Sequence, residues 1–349
     1  MEHSSFTSAA VLEDGPDALS RLQDRHGRLI TDLRVSITDR CNYRCVYCRT
    51  GNVGAQYAEL PIAAYVRMVR AFVDLGIEKV RLTGGEPLLR RGLTDLISEL
   101  ASMRTINRSP LDLAITTNGH LLEDQAWRLR DAGLNRITVS MDAVDAETAA
   151  RITRVPGSFD HVLKGIQAAQ RAGLEPVKVN CVLLRGFNDD QIVPFARFSR
   201  ERGVVVRFIE FMPLDEDRSW TLDSVVSYSE VKTRLESLRP LVKLDPTTSG
   251  ETAVRYTFDD GIGEIGIIAP VSRAFCGECS RIRVTSDGKI RTCLFSQSEH
   301  DLYAILQRGG TDNDLASFIR RTVIMKEARH HIGEPGFLKP SRSMVHIGG

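Results

Sequence analysis

Six of the seven cysteines fall into two sets of three whose spacing suits a soft-metal site. Cys41, Cys45 and Cys48 form C-x3-C-x2-C directly after a strand-like run at 33–38, and Cys276, Cys279 and Cys293 form C-x2-C-x13-C. Cys181 stands alone. Soft thiolates select zinc, copper(I) or iron–sulfur clusters. Three protein ligands leave one coordination position open, which marks a catalytic centre more often than a structural one. On spacing alone a zinc reading stays open for both sets, completed by a distant His in the first and by His300 in the second.

A second group with chemical potential is cationic. The runs at 33–38, 79–83, 111–117, 136–141, 177–184 and 204–211 read as strands, but not as the continuous aliphatic strands of a sheet covered on both faces. Arg34 and Ser36 alternate with Leu33, Val35 and Ile37; Lys79, Arg81 and Thr83 with Val80 and Leu82; Lys178 and Asn180 with Val177, Val179 and Cys181. Period two sends each polar set to one face. That face must line a hydrated lumen, where Arg34, Arg81, Lys178 and Arg207 converge. Either the acids Glu86, Asp142 and Glu210 pair with them, or an anion occupies the lumen, because isolated buried charge is costly. Four cations together favour a phosphate-bearing ligand. Arg281 and Arg283 follow Cys279 by two and four residues on one strand face, where a purely structural zinc site has no use for them.

Turns at the strand ends add polar groups on the edge where parallel sheets bind ligands. Thr83-Gly84-Gly85-Glu86-Pro87 follows the second strand, with two glycines that permit positive φ and close approach of a ligand. Thr116-Thr117-Asn118-Gly119 and Ser140-Met141-Asp142 follow the third and fourth; each is also explicable as a helix cap.

These groups are positioned by strand–helix units. Helices are expected at 62–75, preceded by Pro61, and at 189–201, with Asn188 as N-cap. Six such units argue for a parallel sheet with right-handed crossovers. After Pro213 the pattern becomes short runs at 255–258, 264–269, 282–285 and 290–294, which read as antiparallel strands with a turn at Ser286-Asp287-Gly288-Lys289. The expected fold class is α/β: an incomplete (β/α)6 barrel over 23–213 and a small α+β cap over 214–327. A loosely ordered extension over 1–22 precedes them, and a tail over 328–349 ends in Gly348-Gly349. That side-chain-free end suits either a narrow cavity near Arg281 and Arg283 or, as its position alone favours, a frayed terminus.

Composition narrows the class. The 349 residues are 42% hydrophobic, which excludes wholesale disorder. Net charge is +1, from 46 basic and 45 acidic side chains, so there is no general attraction for nucleic acid and any anion site is local. The cysteine count does not suit a secreted disulfide framework, the polar residues 1–10 are no signal peptide, and no run approaches the length of a membrane span. A reducing cytoplasm is the expected compartment.

The first cysteine loop, with Tyr47 before its third cysteine, and the Gly84-Gly85-Glu86-Pro87 string resemble the signatures of radical S-adenosylmethionine (SAM) enzymes. Adding 33–42, 80–87, 207–212, 275–283 and the double-glycine tail, the chain resembles the GTP 3',8-cyclase family of molybdenum cofactor biosynthesis. The resemblance implies two 4Fe-4S clusters, on Cys41, Cys45 and Cys48 and on Cys276, Cys279 and Cys293. It implies SAM contacts from Tyr47, Gly85, Ser140 and Met212, and GTP contacts from Arg34, Arg81, Thr116, Lys178, Arg281, Ile282 and Arg283. Arg81, Arg281 and Arg283 are also implied in catalysis with the first triad. Implied partners are an electron donor of flavodoxin or ferredoxin type, a cyclic pyranopterin monophosphate synthase that takes the product, and a second copy in a homodimer. Family members commonly carry Met-Pro after the third cysteine, where this chain has Arg49-Thr50. Competing readings are a radical SAM enzyme acting on a peptide, with an apolar pocket, and an iron–sulfur carrier or zinc-stabilised binding protein, with a fourth protein ligand in each set.

Overall fold

Period-two alternation builds the sheet as expected, with each polar set on one face and each aliphatic set on the other. The computed structural model describes residues 21–49, 54–248 and 250–348. Most of the N-terminal extension, Thr50 and Gly349 lie outside the described residues. Six strands pair in parallel in chain order: β1 (Asp32–Ser36), β2 (Lys79–Thr83), β3 (Asp112–Thr117), β4 (Arg136–Ser140), β5 (Lys178–Leu183) and β6 (Val205–Glu210). Between them run α1 (Ile62–Val73), α2 (Leu93–Ala101), α3 (Leu122–Asp131), α4 (Ala146–Thr153), α5 (Ser158–Arg171) and α6 (Ile192–Arg202). Leu33, Val35, Val80, Leu82, Leu113, Ile115, Val139 and Val206 are fully enclosed in one core with Tyr65, Phe72, Leu96 and Phe195 of the helices. Truncating one such side chain, as in Phe72→Ala, would cost about 3–5 kcal/mol.

The C-terminal segment departs from the antiparallel expectation. It forms α7 (Tyr228–Glu236), β7 (Leu241–Leu244), β8 (Val254–Phe258), β9 (Glu264–Ile268), β10 (Arg281–Val284), β11 (Lys289–Arg291), β12 (His300–Asp301), α8 (Tyr303–Gln307), α9 (Asp312–Ile324) and α10 (Met344–Ile347). β9 pairs in parallel with β6 and β10 in parallel with β1, so the six-stranded barrel gains one parallel strand on each flank. Beyond them β8 pairs antiparallel with β9 and β7 with β8, and β11 pairs antiparallel with β10 and β12 with β11, continuing the same sheet outwards. Short runs of four or five residues carry no sign of their partner's direction.

Two local expectations also change. Residues 189–191 form a 3-10 turn before α6, and Asn188 does not cap it. Fully buried instead, Asn188 donates to the carbonyls of Asp142 and Val182 and accepts from Leu184 N–H, tying the β4 and β5 ends together. Neither Gly84 nor Gly85 adopts positive φ. They are required because a Cβ would lie 2.4 Å from Thr38 O at Gly84 and 2.3 Å from Arg40 O at Gly85.

Candidate active site

Strand polarity puts the arginines inside. Arg34 is the register partner of both Arg81 on β2 and Arg283 on β10, and Arg207 is that of Asn180. Adjacent strands lie less than 5 Å apart, so the guanidinium groups are packed side by side. They line a cavity of about 290 Å³ that all six paired-set cysteines share. Arg34, Arg49, Arg81, Arg207, Arg281, Arg283 and Lys326 are on its wall, and among the described residues no Asp or Glu is.

The acids that might have neutralised this charge are engaged elsewhere. Glu86 accepts from Thr117 Oγ1, Asn118 N–H and Leu88 N–H at 2.7–2.9 Å. Asp142 accepts from Tyr47 Oη and Val182 N–H, and Glu210 from the backbone of Tyr228, Val271 and Ser272. Burial pushes the Glu86 carboxyl up to about 7 and that of Asp142 to about 6. The cavity arginines make neutral contacts: Arg81 donates to Thr116 and Thr138, Arg207 to Asn180 and Thr138, and Arg283 to Gly348 O. Among the described residues Arg34 donates no hydrogen bond, and its Nε is buried without a partner there. Burial, followed by neighbouring arginines, lowers Arg34, and likewise Arg207 to about 9 and Arg283 to about 10. All remain charged at neutral pH.

The first triad sits on the loop leaving β1. Cys41 Sγ accepts from Tyr43 N–H at 3.4 Å, and the loop's return is clamped by Arg49. That side chain is buried and donates to Asp39 O and Gly54 O, which fixes the path at the position where the family commonly has Met. Burial pushes the Cys41 thiol up to about 11 and that of Cys48 to about 12, so binding a cluster there must release protons. The second triad spans the loop between β9 and β10 and the second residue after β11. Burial acts to raise Cys279, but the charges of Arg281 and Lys326 outweigh it and hold the thiol at about 6, with Arg281 Nη2 3.3 Å from its sulfur.

Most predicted contacts lie on this cavity. Tyr47, Gly85, Ser140 and Met212 line it beside the first triad's cysteines, and Thr116 and the arginines complete the wall. Two do not. Lys178 shares the face of Asn180 but sits one inward position below the lining; burial, Arg207 and Arg136 lower its ammonium to about 8. Ile282 is fully enclosed in the aliphatic core, because it alternates with Arg281 and Arg283, so only its backbone can reach a ligand. His300 lies on β12 opposite Ile290 and is not on the cavity wall, so it does not complete the second set. Lys326 was missed. Just past α9, it is buried and donates to Arg281 O at 2.9 Å and to Thr292 O, fastening β10 to the residue before Cys293. No spacing in the sequence connects it to either triad.

The donor set fits iron–sulfur clusters. Three thiols in each set, on a wall that carries no carboxylate among the described residues, are the soft donors an iron–sulfur cluster takes.

Comparison with known proteins agrees. Residues 35–199 match the Radical SAM superfamily and residues 204–332 match Molybdenum Cofactor Synthesis C. A GTP 3',8-cyclase of Xanthomonas axonopodis pv. citri is 45% identical over 86% of this chain and 90% of its own length. One from Corynebacterium glutamicum is 41% identical over 99% and 95%. The crystal structure of Streptococcus suis SuiB bound to S-adenosylmethionine shares the fold, with a TM-score of 0.58 at 14% identity over 85% of this chain and 69% of that one. With a match at this identity over nearly its whole length, the chain belongs to the GTP 3',8-cyclase family of radical SAM enzymes.

Proposed function

We propose that this chain converts GTP to (8S)-3',8-cyclo-7,8-dihydroguanosine 5'-triphosphate, the first step of molybdenum cofactor biosynthesis, at the cavity between the two cysteine sets. The observation that carries the reading is the wall of six arginines and one lysine with no carboxylate among the described residues. Such a wall suits a polyanion, and a triphosphate supplies the missing negative charge. An apolar peptide would not.

Cys41, Cys45 and Cys48 would hold one 4Fe-4S cluster, with Tyr47, Gly85, Ser140 and Met212 around SAM. Cys276, Cys279 and Cys293 would hold a second. Bound there, cluster and SAM would supply the radical chemistry that joins C3' of the ribose to C8 of guanine, with the electron donor completing the balance. The protein's own part is binding and alignment. Arg34, Arg81 and Arg283 oppose the phosphate charge from the adjacent strands β1, β2 and β10 and Arg207 does so from β6, while Lys178 adds to the field from below. Arg281 stands between Cys279 and the anion, and Ile282 contributes backbone. The Tyr47 hydroxyl, spent on Asp142, holds its ring over the first loop. Thr116 and Thr138 keep Arg81 aimed without cancelling its charge. The reading includes a flavodoxin- or ferredoxin-type donor, a cyclic pyranopterin monophosphate synthase downstream, a homodimer and a cytoplasmic location. No helix among the described residues is long and apolar enough to cross a membrane.

Anaerobically reconstituted protein given SAM, reductant and GTP is expected to form 5'-deoxyadenosine and the cyclised nucleotide in step. SAM cleavage indifferent to GTP would overturn the substrate.

A further inference from the structure

The strongest ion cluster outside the cavity is built around Arg342, in the tail. Its guanidinium donates to both oxygens of Asp287, each at 2.9 Å, and is 2.7 Å from both oxygens of Glu299. Its flat face lies 4.2 Å from the Tyr57 ring centre. Glu299 is held in turn by the buried Arg291 of β11 at 2.7 Å, and Asp287 by Thr285 at 2.6 Å. Only an arginine can fork two carboxylates and stack at once.

From that anchor the chain runs inward. Met344 N–H bonds to Leu214 O at 3.0 Å, Val345 and Ile347 are buried, and six residues past Arg342 the Gly348 carbonyl accepts from Arg283 Nη1. Gly348 is seated so closely that a Cβ would lie 2.6 Å from Thr83 Oγ1 and 2.8 Å from Ser36 Cβ. This is the one hydrogen bond Arg283 donates among the described residues. Arg283 has Arg34 opposite it in register, and Arg281 shares its face. A guanidinium so crowded would turn away unless held. A carbonyl holds it without neutralising it, as a carboxylate would.

We propose that Arg342 is a positioning residue for the reaction: its fork on Asp287 of the β10–β11 turn and Glu299 just before β12 seats the chain end, and the seated Gly348 carbonyl aims the Arg283 charge into the cavity. The inference deepens the GTP reading and rests on it for the catalytic consequence alone.

The test uses the full-length, cluster-loaded protein. Hydrogen exchange of the 343–348 amides, measured without GTP, is expected to speed up at least tenfold in Arg342→Gln and in Asp287→Asn. The kcat for cyclised nucleotide should fall about tenfold or more, with KM for GTP moving less than about threefold because the other cations remain. Iron content should match the unsubstituted protein, and Arg342→Lys should recover only part of both losses. Unchanged tail exchange in both variants would overturn the proposal, as would iron loss in both. Because exchange is read without substrate, failure of the unsubstituted protein to cyclise GTP would refute the function and leave the seating intact.

Discussion

Replacing Arg34 by Met should make the nucleotide-free protein more stable while weakening its hold on GTP. Among the described residues Arg34 donates no hydrogen bond, so the change leaves no hydrogen-bond acceptor unpaired there; Asp32 on its own strand is the one acid whose charge offsets it, and Arg34 faces Arg81 and Arg283 directly across β2 and β10. At about 6 Å, close to the separation of cross-strand neighbours, each like-charge pair repels by about 3 kcal/mol at an effective dielectric of about 20. In water the figure is about 0.7 kcal/mol. Two pairs bracket the relief between roughly 1.4 and 6 kcal/mol. Replacing buried charge with a fitting apolar side chain elsewhere gives about 1–4 kcal/mol, and the expectation is set there. At about 2 °C per kcal/mol for a chain this long, the melting midpoint should rise by roughly 2–8 °C. GTP at about a hundred times its Kd should stabilise the unsubstituted protein by about 2.7 kcal/mol. A tenfold affinity loss would cut that increment to about 1.4 kcal/mol at the same concentration. Calorimetry at one scan rate, with and without GTP, reads both. An Arg34→Met protein that melts lower without nucleotide, or that gains as much from GTP, would refute the idea that the cavity stores unneutralised charge for an anion.

Other expectations follow from the same wall. Because the Lys178 ammonium titrates near 8 rather than at its ordinary 10.5, it is charged at pH 7 and loses its proton as pH rises; KM for GTP should climb between pH 8 and 10, and Lys178→Met should flatten that rise. Replacing Arg281 or Arg283 by Ala should reduce product formation at least tenfold with iron content retained; loss of iron would make them structural. Cys276→Ala and Cys45→Ala proteins, counted for iron and sulfide anaerobically, should each lose about half of both, whereas a single shared centre would lose nearly all.

Much of the site could be read from residue types because its logic is local. Alternation within β1, β2 and β5 sends charge to one face, and that rule needs no tertiary information. The same rule, applied to Arg281-Ile282-Arg283, assigns the isoleucine side chain to the core and leaves only its backbone for the ligand. What was not legible depends on distant pairing. Nothing in residues 264–268 or 281–284 announces a parallel partner on opposite flanks of the barrel. The acids near the cations could not be discounted until Glu86, Asp142 and Glu210 were seen to accept from backbone and hydroxyl donors. The two glycines after β2 were readable as necessary but for the wrong reason: neighbouring backbone, not backbone dihedral, requires them. Lys326 and Arg342 belong to no motif, and only the packing of chain segments far apart in sequence brings them to the cavity or its tail.

The flanking strands also impose an order on biosynthesis. β1 pairs on one side with β2 and on the other with a strand about 250 residues later, and β6 waits for β9. While the chain emerges at roughly 5–20 residues per second, the first six strands are complete but both outer edges lack partners for several seconds. Unpaired edges of a long sheet recruit other chains. A protein cut after the sixth strand would carry both edges permanently, so it should aggregate even with its first cysteine loop intact. The loop that brings the second triad's first two cysteines runs from one of these edges to the other, and its arrival coincides with the moment the nascent sheet becomes safe.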